Sequence, residues 1–174
     1  MGVEESETQR NKAVIRRFVR EVQNEKNWDV YDELNDPKFF NHSAPPGMTD
    51  REGSKQYLGG FLNGFPDCEF TIDDMIAEGD QVVTKKTFRG THAAEFAGIP
   101  PTGQEVTLQF VDIMRVREGR ITEHWLCMDQ LSFMQQLGVI LHRARLSPEL
   151  PAECSLRTKP ERGDLRDAGS RNHV

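Results

Sequence analysis

The sequence lacks much of what several protein classes require. None of its 174 residues fall in a run approaching the eighteen or more apolar residues of a membrane span. Three cysteines, Cys68, Cys127 and Cys154, are far apart, odd in number and form no CxxC pair. That argues against a disulfide framework and for a reducing, cytoplasmic setting. The first ten residues are acidic and polar, unlike a secretory leader. No HExxH, HxH or paired-cysteine motif offers a metal site, and no GxSxG elbow offers a serine nucleophile. His92 with Glu95 is too thin a pair to hold a metal, and Gly59-Gly60 lacks the strand–loop–helix setting of a phosphate cradle. Basic charge is also short. The net charge is −6, with residues 143–174 at +2 and the remainder at −8. An acidic body repels phosphate backbones, so neither nucleic acid nor a membrane is the expected partner.

Aromatic residues mark the domain boundary. All ten Phe, both Trp and both Tyr lie at or before Phe133, and the stretch after Arg143 is rich in Pro, Arg, Glu and Ser. Such a segment buries too little apolar surface to offset its ordering entropy. The expectation is one domain over 1–142 and a disordered tail over 143–174. Within the domain, Val14, Ile15, Phe18, Val19 and Val22 recur at helical spacing. A short helix follows over Trp28–Leu34 with Asn27 as cap, then an extended Phe39–His42 and a third helix from Asp50, closed by Gly64 and Pro66.

From Cys68 the period turns to alternation. Cys68, Phe70, Ile72 and Ile76 share a parity, Glu78-Gly79-Asp80 turns the chain, and Gln81–His92 returns. After a loop over Ala94–Gly103, Val106–Val116 and Ile121–Met128 form two further strands around Glu118-Gly119, and a helix spans Leu131–Leu141. Helices first and a meander after predict an α+β fold: a curved antiparallel sheet with three helices around an apolar pocket.

One residue breaks the apolar pattern. The even positions of the Val106–Val116 strand are Val106, Leu108, Phe110, Asp112, Met114 and Val116, so Asp112 falls on the otherwise apolar face. Desolvation raises a carboxyl pKa unless a cation or donors compensate, and a raised pKa suits a general acid/base. Two readings stand beside each other: an acid/base, or a core carboxylate satisfied by a histidine or backbone amides. A bulge turning Asp112 to solvent is a third. Three histidines are candidate partners. His92 ends a strand beside a Gly/Pro loop and shares parity with Phe88 and Val82. His42 sits where a strand meets a loop. His124 has the opposite parity to Trp125 and Cys127, so only one of those sets faces the pocket.

Gly90-Thr91-His92, Glu95 through Gly103 with its Gly-Ile-Pro-Pro-Thr-Gly run, Asp112-Ile113-Met114-Arg115, Gly119 through Trp125, and Gln135-Gln136-Leu137-Gly138 together resemble the SnoaL-like polyketide (ester) cyclases, over about Asn11–Val139. That family lies in the nuclear-transport-factor-like and ketosteroid-isomerase-like superfamily, whose cone of bent sheet and three helices the resemblance implies here. It further implies intramolecular aldol ring closure of an aromatic polyketide, or related lyase or isomerase chemistry, without metal or cofactor. Asp112 would be the acid/base and His92 its support. Asn41, His42, Phe88, Phe110, Met114, His124 and Trp125 would line the site of a hydrophobic or aromatic carbonyl substrate.

Two alternatives remain. A non-catalytic binding or dimerisation module would hold Asp112 hydrogen-bonded and ionised. A limonene-type epoxide hydrolase would need an Arg and a second Asp where Phe110 and Cys127 stand. Val111 and Ile113 on the opposite face suggest a homodimer or homotetramer.

Overall fold

The computed structural model describes residues 6–140. The expected tail, 143–174, lies outside them. Helix α1, Glu7–Arg17, starts at the Ser6 cap and runs on without a break as a π-helical segment, Phe18–Asn24. Its wider turn, with the Glu25 amide bonded to the Arg20 carbonyl (3.0 Å), buries Phe18, Val19, Val22 and Gln23 together. Helix α2, Trp28–Leu34, is capped by Asn27, as its sequence predicts. Strand β1, Asn35–Asn41, precedes α3, Arg51–Gly64, whose first turn is capped by Asp50.

Four long strands follow: β2 (Glu69–Glu78), β3 (Gln81–Thr91), β4 (Glu105–Arg117) and β5 (Arg120–Met128), with α4 (Gln130–Gln136) at the end. The sheet order is β1-β5-β4-β3-β2. This is the α+β cone expected, with one correction: the sheet is mixed, because β1 pairs with β5 in parallel. A parallel neighbour needs a long connection, and everything from α3 to β4 lies between the two strands in sequence.

Two bulges set which residues face inward. In β2, Asp73 is an extra residue between the Ile72–Lys86 and Asp74–Lys85 pairs. The parity flips there, so Met75 and Ala77 pack on the core while Ile76 is 63% exposed, against the expected shared face. In β5, Thr122 is the extra residue between the pairs Arg115–Glu123 and Val116–Ile121. It lets odd Ile121 and even His124, Leu126 and Met128 all face the interior.

The interior holds two adjoining hydrophobic clusters, one on Ile15, Phe18, Tyr31 and Met114, the other on Leu62, Phe65, Phe88, Phe110 and Phe133. Phe61 lies among Phe65, Phe88, Phe96 and Phe133 at ring separations of 5.0 to 6.4 Å. Phe96 and Ile99 are the arms of a tight hairpin, turned by Ala97 (φ 52°) and Gly98 (φ 78°). Gly64 lies beneath it, where an added Cβ would sit 2.9 Å from that of Phe96. None of the described helices is long and apolar enough to cross a membrane.

Candidate active site

A cavity of about 320 Å³ opens between the concave face of the sheet and helices α2 and α3. Phe61, Phe70, Phe96, Phe110 and Phe133 make most of its wall, with Leu58, Ile99, Met114 and Met134. Polar groups are few: Gln23, Tyr31, Asn35, Asn41, Ser43, Ser54, Tyr57 and Gln130 join the charged Lys86 and Asp112 and the imidazole of His124. A mostly apolar cleft with a few convergent polar groups is the usual form of a small-molecule site.

Asp112 and Lys86 are buried at 2% and 1% exposure. Thr84 stands directly opposite Asp112 across β3 and β4, which puts Lys86 on one diagonal and His124 of β5 on the other. Lys86 Nζ lies 2.5 Å from Asp112 Oδ2, and His124 Nε2 lies 3.0 Å from Oδ1. The Thr84 hydroxyl donates to Oδ2 at a long 3.5 Å. Lys86 also donates to Gln23 Oε1 (2.9 Å), the amide that the π-helical segment turns inward, and stands 5.3 Å over the Phe70 ring.

Burial pushes the Asp112 carboxyl up. The Lys86 charge and the His124 hydrogen bond together outweigh it and hold the group at about 2. Of the two readings the sequence left open, this is the compensated carboxylate and not the raised one. The physical reason is Lys86, a cation on the same buried face. The bulge considered for Asp112 falls instead at Thr122, so the aspartate keeps its inward parity.

The other sequence candidates divide between cavity and elsewhere. Asn41, Phe110, Met114 and His124 line the cavity with Asp112. His92 does not. It is fully buried, its Nδ1 receives the Thr102 amide (3.3 Å) and lies 3.1 Å from Thr102 Oγ1, and its ring packs on Phe65 at 5.1 Å. Its partners make it the rivet of the 93–103 loop rather than a support for Asp112. With Nδ1 an acceptor, the proton sits on Nε2, which is buried with no partner among the described residues. Trp125 and His42 lie on the outer face, stacked at 4.3 Å and 4°. The Thr122 bulge sends the His124 set inward and therefore Trp125 outward. Phe88 is fully buried behind the wall, packed on Phe65 and Phe70.

Sequence reasoning missed Lys86 and Gln23. Lys86 was legible in principle, since it shares the parity of Val82, Thr84 and Phe88 in β3. Gln23 was not, because a π-helical turn leaves no mark in a pattern read at 3.6 residues per turn. Among the described residues, no group of three or more His, Cys, Asp or Glu side chains is arranged to hold a metal ion.

An α+β cone that aims a buried acid, amine and imidazole into an aromatic cavity defines a small-molecule domain of the nuclear-transport-factor-like kind. The chain belongs to the SnoaL-like polyketide cyclase family, whose model matches residues 13–137. Solved structures agree. TsrD from Streptomyces laurentii is 26% identical over 78% of this chain and 100% of its own, with a TM-score of 0.70. A proposed SnoaL-like polyketide cyclase from Jannaschia sp. CCS1 is 26% identical over 80% of this chain and 99% of its own, with a TM-score of 0.71. IdmH from Streptomyces antibioticus, a proposed polyketide cyclase, is 34% identical over 74% and 98%, at 0.64. No protein with a curated description matches the sequence.

Proposed function

We propose that the protein is a cyclase that closes a ring of a carbonyl-rich aromatic polyketide by intramolecular aldol condensation, without metal or cofactor, with Asp112 as the acid/base. The observation that carries this reading is the position of Asp112: among the described residues it is the one carboxylate lining a mostly apolar cavity. Held ionised, it is in its base form at neutral pH. A carboxylate of low pKa is a weak base, so the carbon it deprotonates must already be activated by two flanking carbonyls, as in a polyketide chain. His124 fixes the orientation of Oδ1, and the aromatic wall excludes water and folds a flat substrate on itself.

The test is a set of linear aryl polyketones incubated with the protein, with ring closure followed by chromatography and NMR. Turnover by the wild type and its loss in Asp112→Asn, with an unchanged circular dichroism spectrum, supports the reading. Undiminished turnover in Asp112→Asn overturns it.

A second reading rests on a specific observation: both carboxylate oxygens of Asp112 already have protein partners. A pocket that binds without chemistry would show this, and would bind the polyketones with no turnover. The epoxide hydrolase alternative is weaker still, since Cys127 is exposed and has the outward parity of β5. The reading also takes the protein as cytoplasmic and as a homodimer joined across the outer sheet face, where Val111 (43% exposed), Ile113 and Phe40 (44%) lie. A monomer mass at micromolar concentration by size exclusion would contradict the dimer.

A further inference from the structure

We propose that Lys86 is a second catalytic residue of this site, an oxyanion holder whose remaining N–H donates to the enolate oxygen formed when Asp112 removes a proton. The inference rests on the cyclase reading and deepens it. It starts from a count of donors. A lysine ammonium has three N–H groups. At Lys86 one goes to Asp112 Oδ2 and one to Gln23 Oε1, and no other described residue accepts the third. The residue lines the cavity, with the Phe70 ring 5.3 Å from its ammonium. At so buried a position a charge acts strongly on whatever oxygen the substrate brings.

Stability alone does not require this arrangement. A buried lysine carries a heavy desolvation cost, and an apolar pair of the same volume is often as stable. What an ammonium beside a base offers is charge that becomes available during reaction. While Asp112 is ionised, it neutralises Lys86. Once Asp112 has taken the proton, Lys86 faces an uncharged acid and its full charge turns to the new anion.

The step balances within one substrate molecule. Asp112 takes the proton from a carbon flanked by two carbonyls, and the C–H electron pair becomes the enolate, its oxygen on Lys86. The enolate carbon then forms a C–C bond to a further carbonyl carbon, whose π pair becomes an alkoxide. The alkoxide takes the proton back from Asp112. The substrate class follows: a compound that presents an enolisable 1,3-dicarbonyl at the Lys86 end. Its rings fill a cavity of about 320 Å³, roughly twice the 150 Å³ or so that accommodates one benzene ring. That is room for at least two rings inside the cavity.

The experiment uses 2-naphthol, a two-ring phenol whose naphtholate has its own absorbance band, as an enolate mimic. Asp112→Asn stands in for the protonated acid, and Lys86→Met/Asp112→Asn removes the cation from the same neutral background. Asp112→Asn is expected to bind naphtholate at least tenfold more tightly than naphthol, so that bound 2-naphthol ionises at least one pH unit lower than in solution. The double variant is expected to lose that preference. No preference in Asp112→Asn, or the same preference in both, overturns the proposal. If Asp112→Asn does not fold, Asp112→Leu, which likewise leaves Lys86 without its counter-charge, is compared with Lys86→Met/Asp112→Leu. Naphtholate preference in the first and none in the second is expected; no preference in Asp112→Leu, or the same preference in both, overturns the proposal. Because binding is read without turnover, anion binding in a protein that closes no ring would leave Lys86 as an anion holder and remove only the cyclase reading.

Discussion

Two neighbouring residues of β5, Glu123 and His124, belong to two constellations of the same chemistry on opposite faces of one sheet. Inside, Asp112 receives His124 on one oxygen (3.0 Å) and Lys86 on the other (2.5 Å). Outside, Glu123 receives His42 on one oxygen (2.9 Å) and Arg115 on the other (2.7 Å). Both carboxyls are held below their ordinary range, Asp112 by Lys86 and His124 against strong desolvation, Glu123 by the His42 hydrogen bond and Arg115. The partners are alike and the surroundings are not. Lys86 and Asp112 show 1% and 3% side-chain exposure, while Arg115 and Glu123 keep 26% and 25%. A carboxylate with a cation and an imidazole is therefore no site in itself. Burial beside an aromatic cavity is what makes the inner one a candidate for chemistry.

The largest contrast should be in turnover. With an aryl polyketone, Asp112→Asn should lower the ring-closure rate by about a hundredfold to ten-thousandfold, the usual contribution of a positioned acid/base. Glu123→Gln should leave it unchanged. Equal losses would erase the distinction between the faces.

Stability should separate them next. Lys86→Met leaves Asp112 buried without its cation and should cost about 3–5 kcal/mol in urea unfolding. Arg115→Met breaks pairs that water screens, and should cost within about 1 kcal/mol despite the guanidinium's place 5.7 Å over the Trp125 ring. A mild Lys86→Met would mean that the interior is wetter than its burial suggests.

The acid limb sharpens the comparison further. Asp112 titrates at about 2 when folded, against an ordinary value of 3.8, so between those values the unfolded chain binds more protons. The stabilisation is fully present above about pH 4 and is lost as the pH falls towards 2. It amounts to on the order of 2 kcal/mol. Urea unfolding across that window should show this slope in the wild type and lose it in Lys86→Met/Asp112→Asn. An unchanged slope in the double variant would assign it to other carboxylates.

The smallest effect is expected at His42. Replacing it by Ala removes the Glu123 bond and the flat stack on Trp125, and should cost a few tenths to about 1 kcal/mol. It should also change Trp fluorescence and leave ring closure untouched. Altered turnover would tie the outer face to the pocket.

Much of the fold was legible because it follows from local periodicity. The helical spacing of Val14 through Val22, the Asn27 cap, the helix that starts near Asp50, and the alternation that placed Asp112 inward all reappear in the structure. The shifts came where a single extra residue changes phase. Asp73 turned Ile76 to solvent, and Thr122 decided between His124 and Trp125. A bulge depends on cross-strand register, which alternation within one strand does not report. His92 shows a related limit: its place at a strand end is local information, but its Thr102 partners and its absence from the cavity lining are not.

By itself the sequence determined the element order, the inward-facing acid of β4 and the family, since parity, capping and motif spacing are properties of short stretches of chain. Only the tertiary structure decided what that acid is. Lys86 comes from β3 and His124 from β5, and Gln23, from a π-helical turn, holds Lys86; the group assembles around Asp112 only once the sheet has curved and α1 has packed onto it. The charge state of a buried group depends on what surrounds it in space, so the same aspartate that alternation marks as raised is held low by a lysine twenty-six positions away.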